Sequence, residues 1–144
     1  MKRNTKIISA FSGTGKTFLS NIKSDKIIYD LGCSRFNIYD KPNFPQNYVK
    51  EIKNMIGKVD ILLISTHKEV RDALLENNID FTLVFPDEDL KEEYISRYKG
   101  RTTLQRVIDK VNENWDIWQF EMRTQPGCDK IILQSGQYLS DIIK

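Results

Sequence analysis

Ala10-Phe11-Ser12-Gly13-Thr14-Gly15-Lys16-Thr17 is the stretch that decides how this chain is read. It reads as a phosphate-binding loop whose first glycine is replaced by alanine. Small residues let the backbone curl so that successive N–H groups point at phosphate oxygens, and the helix that follows offers its positive end to the same anion. Lys16 can reach the β- and γ-phosphates, and the Thr17 hydroxyl can ligate magnesium. The residues expected to hold phosphate are therefore Ser12, Gly13, Thr14, Gly15, Lys16, Thr17 and Phe18. The context agrees: Lys6 to Phe11 is strand-like, and Phe18 to Ile22 can continue as a helix. The plain alternative is a glycine turn between strand and helix that binds nothing.

Outward from the loop, short apolar runs alternate with amphipathic stretches. The runs 26–30, 59–64, 81–85 and 130–133 read as further strands, which makes five. Apolar spacing of 3.6 predicts helices over 47–56, 69–77, 88–100 and 102–122, and a short one over 137–144. Residues 31–46 hold Gly32, Pro42 and Pro45 and read as loop. Continuous apolar strands between amphipathic helices indicate a parallel sheet covered on both faces. Ligands of such sheets sit at the carboxyl ends of the strands.

That geometry sorts the polar residues. Asp60 starts its strand, so it lies far from the phosphate edge and is a poor metal carboxylate. The other end of that strand carries Ser65, Thr66 and His67, none of them acidic. Asp30 is at the right end of its strand. It can accept from a substrate hydroxyl, act as a base, hold magnesium through water, or simply cap a turn. Asp87 reads as the cap of the next helix. Arg97 and Arg101 are four apart and share a helix face, where they can serve phosphoryl transfer or form an ordinary charged surface. Arg106 lies just beyond. Arg35 follows Asp30, where an acceptor would sit. His67 reads as structural or as a helix start, and Trp115, Trp118 and Phe120 as core.

Net charge is +2, with 22 basic and 20 acidic residues interleaved, which argues against nucleic acid as a partner. No apolar run approaches a membrane span, so no membrane partner is expected. Cys33 and Cys128 are isolated, and Met1-Lys2-Arg3 leads directly to a strand with no signal segment. Free thiols in a cytoplasmic location are the expectation. One histidine and two scattered cysteines leave little material for zinc.

The loop, the Asp30 strand end and the segment Phe85-Pro86-Asp87…Glu92-Glu93-Tyr94…Arg97-Tyr98…Arg101 together resemble the small P-loop nucleoside and nucleoside-monophosphate kinases, in particular adenylate-kinase-like proteins of bacteriophages and prophages. The resemblance implies one domain over 1–144 with a three-layer α/β/α fold, strand order 2-3-1-4-5, and a short lid over about 88–106 bending at Thr102-Thr103. It implies ATP as donor, magnesium as cofactor, a nucleotide or nucleoside as acceptor, and the cytoplasm of a host as location; a homodimer is compatible with it. By position, Lys16, Arg97, Arg101 and Asp30 become the catalytic residues, Thr17 the metal residue, and Asp30 with Arg35 the acceptor residues. The chain departs from the pattern at Ala10, at the missing carboxylate after the third strand, and in the shortness of the lid. Those departures leave one rival, a nucleotide-binding regulatory or interaction protein with weak turnover; a second rival, an ATPase coupled to nucleic acid, ranks last because the chain has neither the strand-end acid nor a basic stripe for it.

Overall fold

The computed structural model describes residues 3–22, 24–101 and 103–143. Five strands form one all-parallel sheet: β1 (Lys6–Ala10), β2 (Ile28–Asp30), β3 (Ile61–Ile64), β4 (Thr82–Pro86) and β5 (Asp129–Leu133). Their order is β2-β3-β1-β4-β5, the order that the resemblance implies. Register places Ile8 beside Leu63 on one side and Thr82 on the other. The central strands read as unbroken apolar runs because both of their faces are covered. Alternate residues go opposite ways. Ile7, Leu62, Ile64, Leu83 and Phe85 join one core cluster, and Ile8, Ile61, Leu63 and Val84 the other.

The two faces are covered unequally. The helices α3 (Gln46–Met55), α4 (Lys68–Glu76), α5 (Lys91–Gly100) and α6 (Gln105–Arg123) supply the larger cluster, through Tyr48, Leu74, Tyr94 and Trp115 among others. The other face has only Leu19 of α1 (Lys16–Asn21) and Leu139 of α7 (Leu139–Ile142) as fully buried helical residues. A four-residue helix, α2 (Ser34–Asn37), and a 3₁₀ turn over Lys41–Asn43 occupy the segment read as loop. One turn of helix carries no 3.6 periodicity, so proline and glycine dominated that reading.

In the segment expected to form the lid, residues 88–101 pack against the body. The 3₁₀ turn Glu88–Leu90 leads into α5, whose Tyr94 and Tyr98 are fully buried and whose Ile95 is nearly so. Two tyrosines in the core fix this helix as a wall, whatever its charged outer face suggests. Asp87 caps the turn as expected, accepting from the Asp89 N–H at 3.0 Å. The expected bend falls partly on Thr102, which lies outside the described residues, as does Lys144 of the C-terminal helix. Phe120, read as core, is 69 % exposed, while Trp115 is buried and donates its indole N–H to the Glu88 carbonyl at 3.0 Å. Among the described residues no helix is long and apolar enough to cross a membrane.

Candidate functional site

The glycine loop runs from the end of β1 into α1. Gly13 and Gly15 have φ of 84° and 90°, the left-handed region that side chains rarely adopt. Space excludes a side chain as well: a Cβ on Gly13 would stand 3.0 Å from Tyr98, and one on Gly15 would stand 3.2 Å from Tyr138. Alanine is accepted at position 10 because that residue is the last of β1, fully buried in the smaller core. Among the described non-glycine residues only Asn78 has a positive φ, so Ala10 needs none of glycine's freedom.

The loop has a back and a mouth. At the back, the Thr14 hydroxyl donates to the Phe11 carbonyl at 2.7 Å, and the Tyr98 hydroxyl to the Ser12 carbonyl at 2.9 Å. Arg97 donates to the Gly13 carbonyl at 2.8 Å, to the Gln137 carbonyl at 3.2 Å and to Glu93 at 3.0 Å. Its guanidinium lies 4.3 Å from the ring centre of Tyr94 and 4.0 Å from that of Tyr138. Glu93 also accepts from the Gly136 N–H at 3.0 Å and the Ser135 hydroxyl at 2.5 Å. These bonds, the Gly136 amide first, hold its carboxyl below the usual glutamate range. The Leu139 N–H donates to the Thr14 carbonyl at 2.9 Å.

At the mouth, Lys16 donates to the Ala10 carbonyl at 2.8 Å, which leaves two ammonium protons for a ligand. Burial lowers its pKa below the ordinary lysine value; Asp30 and Cys33 oppose this, and the charge of Arg101 adds to it. The Thr17 hydroxyl is 3.1 Å from Asp30 Oδ2. Arg101 therefore shares the field of Lys16, while among the described residues its guanidinium bonds only the Thr103 hydroxyl, at 3.4 Å, with the Tyr98 ring centre 5.4 Å away. The two arginines expected to act as a pair face different tasks. Arg97 is fixed behind the loop and Arg101 is exposed beside its opening.

In front of the mouth opens a cleft of about 740 Å³. Phe11, Val107, Val111 and Trp118 give it an apolar wall; Lys16, Lys110, His67 and Asn37 give it polar points. Such a volume fits a small organic ligand with a few placed polar contacts. His67 begins α4, with Nδ1 2.9 Å from the Ser65 hydroxyl oxygen and Nε2 3.3 Å from Asn37 Nδ2. Burial lowers its pKa below the ordinary histidine value, Glu69 opposes this, and Lys110, Lys16 and Arg71 add to it. The imidazole is accordingly neutral at pH 7. The Cys33 thiol, 3.7 Å from His67 Nδ1, is pushed up by burial and stays protonated. Asn37 Oδ1 is buried with no partner among the described residues.

Several residues singled out from sequence lie elsewhere. Arg35 is exposed, its guanidinium 5.3 Å from the Phe36 ring centre, and it does not line the cleft. Arg106 is exposed as well. Asp60 is at the opposite sheet edge, bonded to Arg3 at 2.9 Å and to the Ile27 N–H at 2.7 Å. Sequence reading missed Lys110 and Asn37. Lys110 carried a signal, since it interrupts the apolar face that Val107, Val111 and Trp118 share on α6. Asn37 sits on α2, where no periodicity was available.

No protein-family model matches this chain, and no curated protein matches it in sequence.

Proposed function

We propose that this chain is an ATP-dependent phosphotransferase acting on a nucleoside monophosphate or a nucleoside, on the three-layer fold of the P-loop nucleotide kinases. One observation carries the reading. A loop with two left-handed glycines puts Lys16 at the carboxyl edge of a parallel sheet, facing a cleft large enough for an acceptor. Loop amides and Lys16 then neutralise the donor phosphates, and the apolar wall keeps water from competing with the acceptor.

Magnesium fits the oxygen donors present. Thr17 and Asp30 offer a hydroxyl and a carboxylate 3.1 Å apart, the hard ligands that ion takes. Among the described residues no group of three or more His, Cys, Asp or Glu could hold a metal without help. That suits an ion held by one carboxylate and the donor's own phosphates. When bound it would draw negative charge off the phosphates. In this reading Asp30, from the outer strand β2, takes the part that the end of β3 leaves vacant. Arg101 attracts and stabilises the transferred group from the side, and Arg97 acts only by holding the loop in shape.

A second reading, a nucleotide-binding protein with little turnover, is favoured by one fact: Ser65, Thr66 and His67 follow β3 and none is acidic. The separating experiment incubates the full chain with γ-labelled ATP, magnesium and the common nucleosides and 5′-monophosphates. Label should move to one acceptor class. With Asp30→Asn the magnesium concentration for half-maximal transfer should rise about 10–100-fold. ATP binding without transfer to any acceptor leaves the second reading in place of the first.

A further inference from the structure

Resting on the kinase reading, we propose that the acceptor is a monophosphate, a nucleoside 5′-monophosphate, whose phosphate is gripped by Lys110 across the cleft from Lys16. The alternative acceptor is a sugar hydroxyl, which must lose a proton as it attacks and so needs a base within hydrogen-bond reach. The carboxylate expected from sequence to do that work is Asp30, while two others, Glu69 and Glu121, line the cleft. In the structure Asp30 Oδ2 meets the Thr17 hydroxyl, and Asp30 is not among the residues lining the cleft. A phosphate oxygen needs no base. The second ionisation of a phosphomonoester falls near pH 6, so at neutral pH the attacking oxygen already carries charge.

The charges in the cleft point the same way. Lys16, Lys68, Arg71 and Lys110 line it against two carboxylates, Glu69 and Glu121. Arg71 is spent on the fold: its side chain donates to the Thr66 carbonyl at 3.0 Å and to Gln125 at 2.6 Å. Lys68 is paired with Asp72 at 2.7 Å. Lys110 is exposed, and its ammonium group makes no hydrogen bond or ion pair among the described residues. It is the cleft cation left for a ligand, on the same face of α6 as the apolar wall where a base would rest.

In the transfer, an oxygen of the acceptor phosphate forms a bond to the γ-phosphorus of ATP. The bond from that phosphorus to the β,γ-bridging oxygen breaks, and ADP leaves with the electron pair. The products are a nucleoside diphosphate and ADP, with no redox change and no proton to remove.

The chain contains one histidine, and it stands in this cleft. His67 is faced by Lys110 from α6, Lys16 from α1, Arg71 and Glu69 from α4, and Cys33 from the β2–α2 loop. A phosphate dianion held between Lys16 and Lys110 must raise its pKa, whereas an uncharged nucleoside brings no charge to do so. Proton NMR titration of the full chain gives one histidine resonance to follow. The common ribo- and deoxyribonucleoside 5′-monophosphates are added in turn, then the matching nucleosides, then inorganic phosphate.

At least one monophosphate should raise the His67 pKa by roughly half a unit or more, and no nucleoside should. Inorganic phosphate should move it the same way at higher concentration. Lys110→Gln should weaken that monophosphate about tenfold or more; its His67 resonance verifies that the variant is folded. The proposal is overturned if no monophosphate shifts His67, if Lys110→Gln leaves monophosphate affinity unchanged, or if label passes from ATP to nucleosides and not to monophosphates. Failure here is distinct from failure of the kinase reading. Transfer to a nucleoside hydroxyl keeps the kinase and removes this acceptor. A monophosphate that shifts His67 through Lys110, with no transfer from ATP, keeps this site and removes the kinase.

Discussion

Behind the glycine loop, Arg97 makes three hydrogen bonds and stacks against two tyrosines. In front of it, Lys16 makes one bond and Arg101 one long one. Both sides are rich in charge, yet the charge does different work. At the back, cation, carboxylate and carbonyls satisfy one another and fix the backbone, which is how a loop with two strained-looking glycines keeps one shape. At the mouth, donors are left over, and leftover donors beside a cleft are what a polyanion needs. Preorganisation behind and vacancy in front belong together, because a donor set that must first rearrange loses much of its electrostatic advantage.

The contrast breaks most sharply at Lys16. Lys16→Ala should weaken ATP binding or transfer by about 10²–10³-fold, with the urea midpoint of unfolding close to that of the parent chain. Equal ATP affinity in a calorimetric titration would remove the mouth from the argument. Arg97→Ala should do the reverse. It leaves Glu93 and two carbonyls short of a partner and should cost about 3 kcal/mol of folding stability. Arg97→Lys should recover little of that, because an ammonium can neither fork between two carbonyls nor stack flat between two rings. Full activity with normal stability in Arg97→Ala would show that the back is ornamental.

Arg101→Ala sharpens the comparison further down the scale. It should lower turnover about tenfold or more and change stability by no more than about 0.5 kcal/mol, since the side chain is exposed. The smallest effect belongs to Glu93. Its folded pKa lies below the ordinary value of 4.5, so the stability it contributes is present above that value and disappears as pH falls through the lower folded value. The stability gap between the parent chain and Glu93→Gln, read by urea unfolding, should be constant near neutrality and narrow below about pH 4.5. A gap independent of pH down to the acid limb would mean that the carboxylate's charge is not what holds Ser135 and Gly136.

Why some of this was legible in the sequence and some was not follows from what leaves a periodic trace. Strands buried on both faces print unbroken apolar runs, so Ile61 to Ile64 and the other central strands, their parallel direction and the carboxyl edge could be read, while the strand order came from the family resemblance. The position of Asp60 at the wrong end of its strand could be reasoned from residue spacing alone. The Arg97–Arg101 pair misled because helical spacing tells which residues share a face and not what that face meets. Here Tyr94, Ile95 and Tyr98 turn one side of α5 into the core, and the rings of Tyr94 and Tyr138 capture the nearer guanidinium while Arg101 passes them by. The contact of Thr17 with Asp30 joins the first turn of α1 to the end of β2, a strand that is not beside β1 in the sheet, and this relation has no sequence pattern of its own. Lys110 was passed over for the opposite reason: it does interrupt the apolar face of α6, but on a helix rich in charges one more lysine looks solvent-facing until the cleft beside it is seen.

The backing of the loop has a temporal consequence. Residues 12–15 leave the ribosome well before the groups that brace them: Arg97, then Gln137, Tyr138 and the Leu139 amide. A nascent chain that stops short of these residues has the motif without its brace. The braced shape of the loop therefore arrives only after residue 139 has been made, and it reports that two distant stretches of the chain have met.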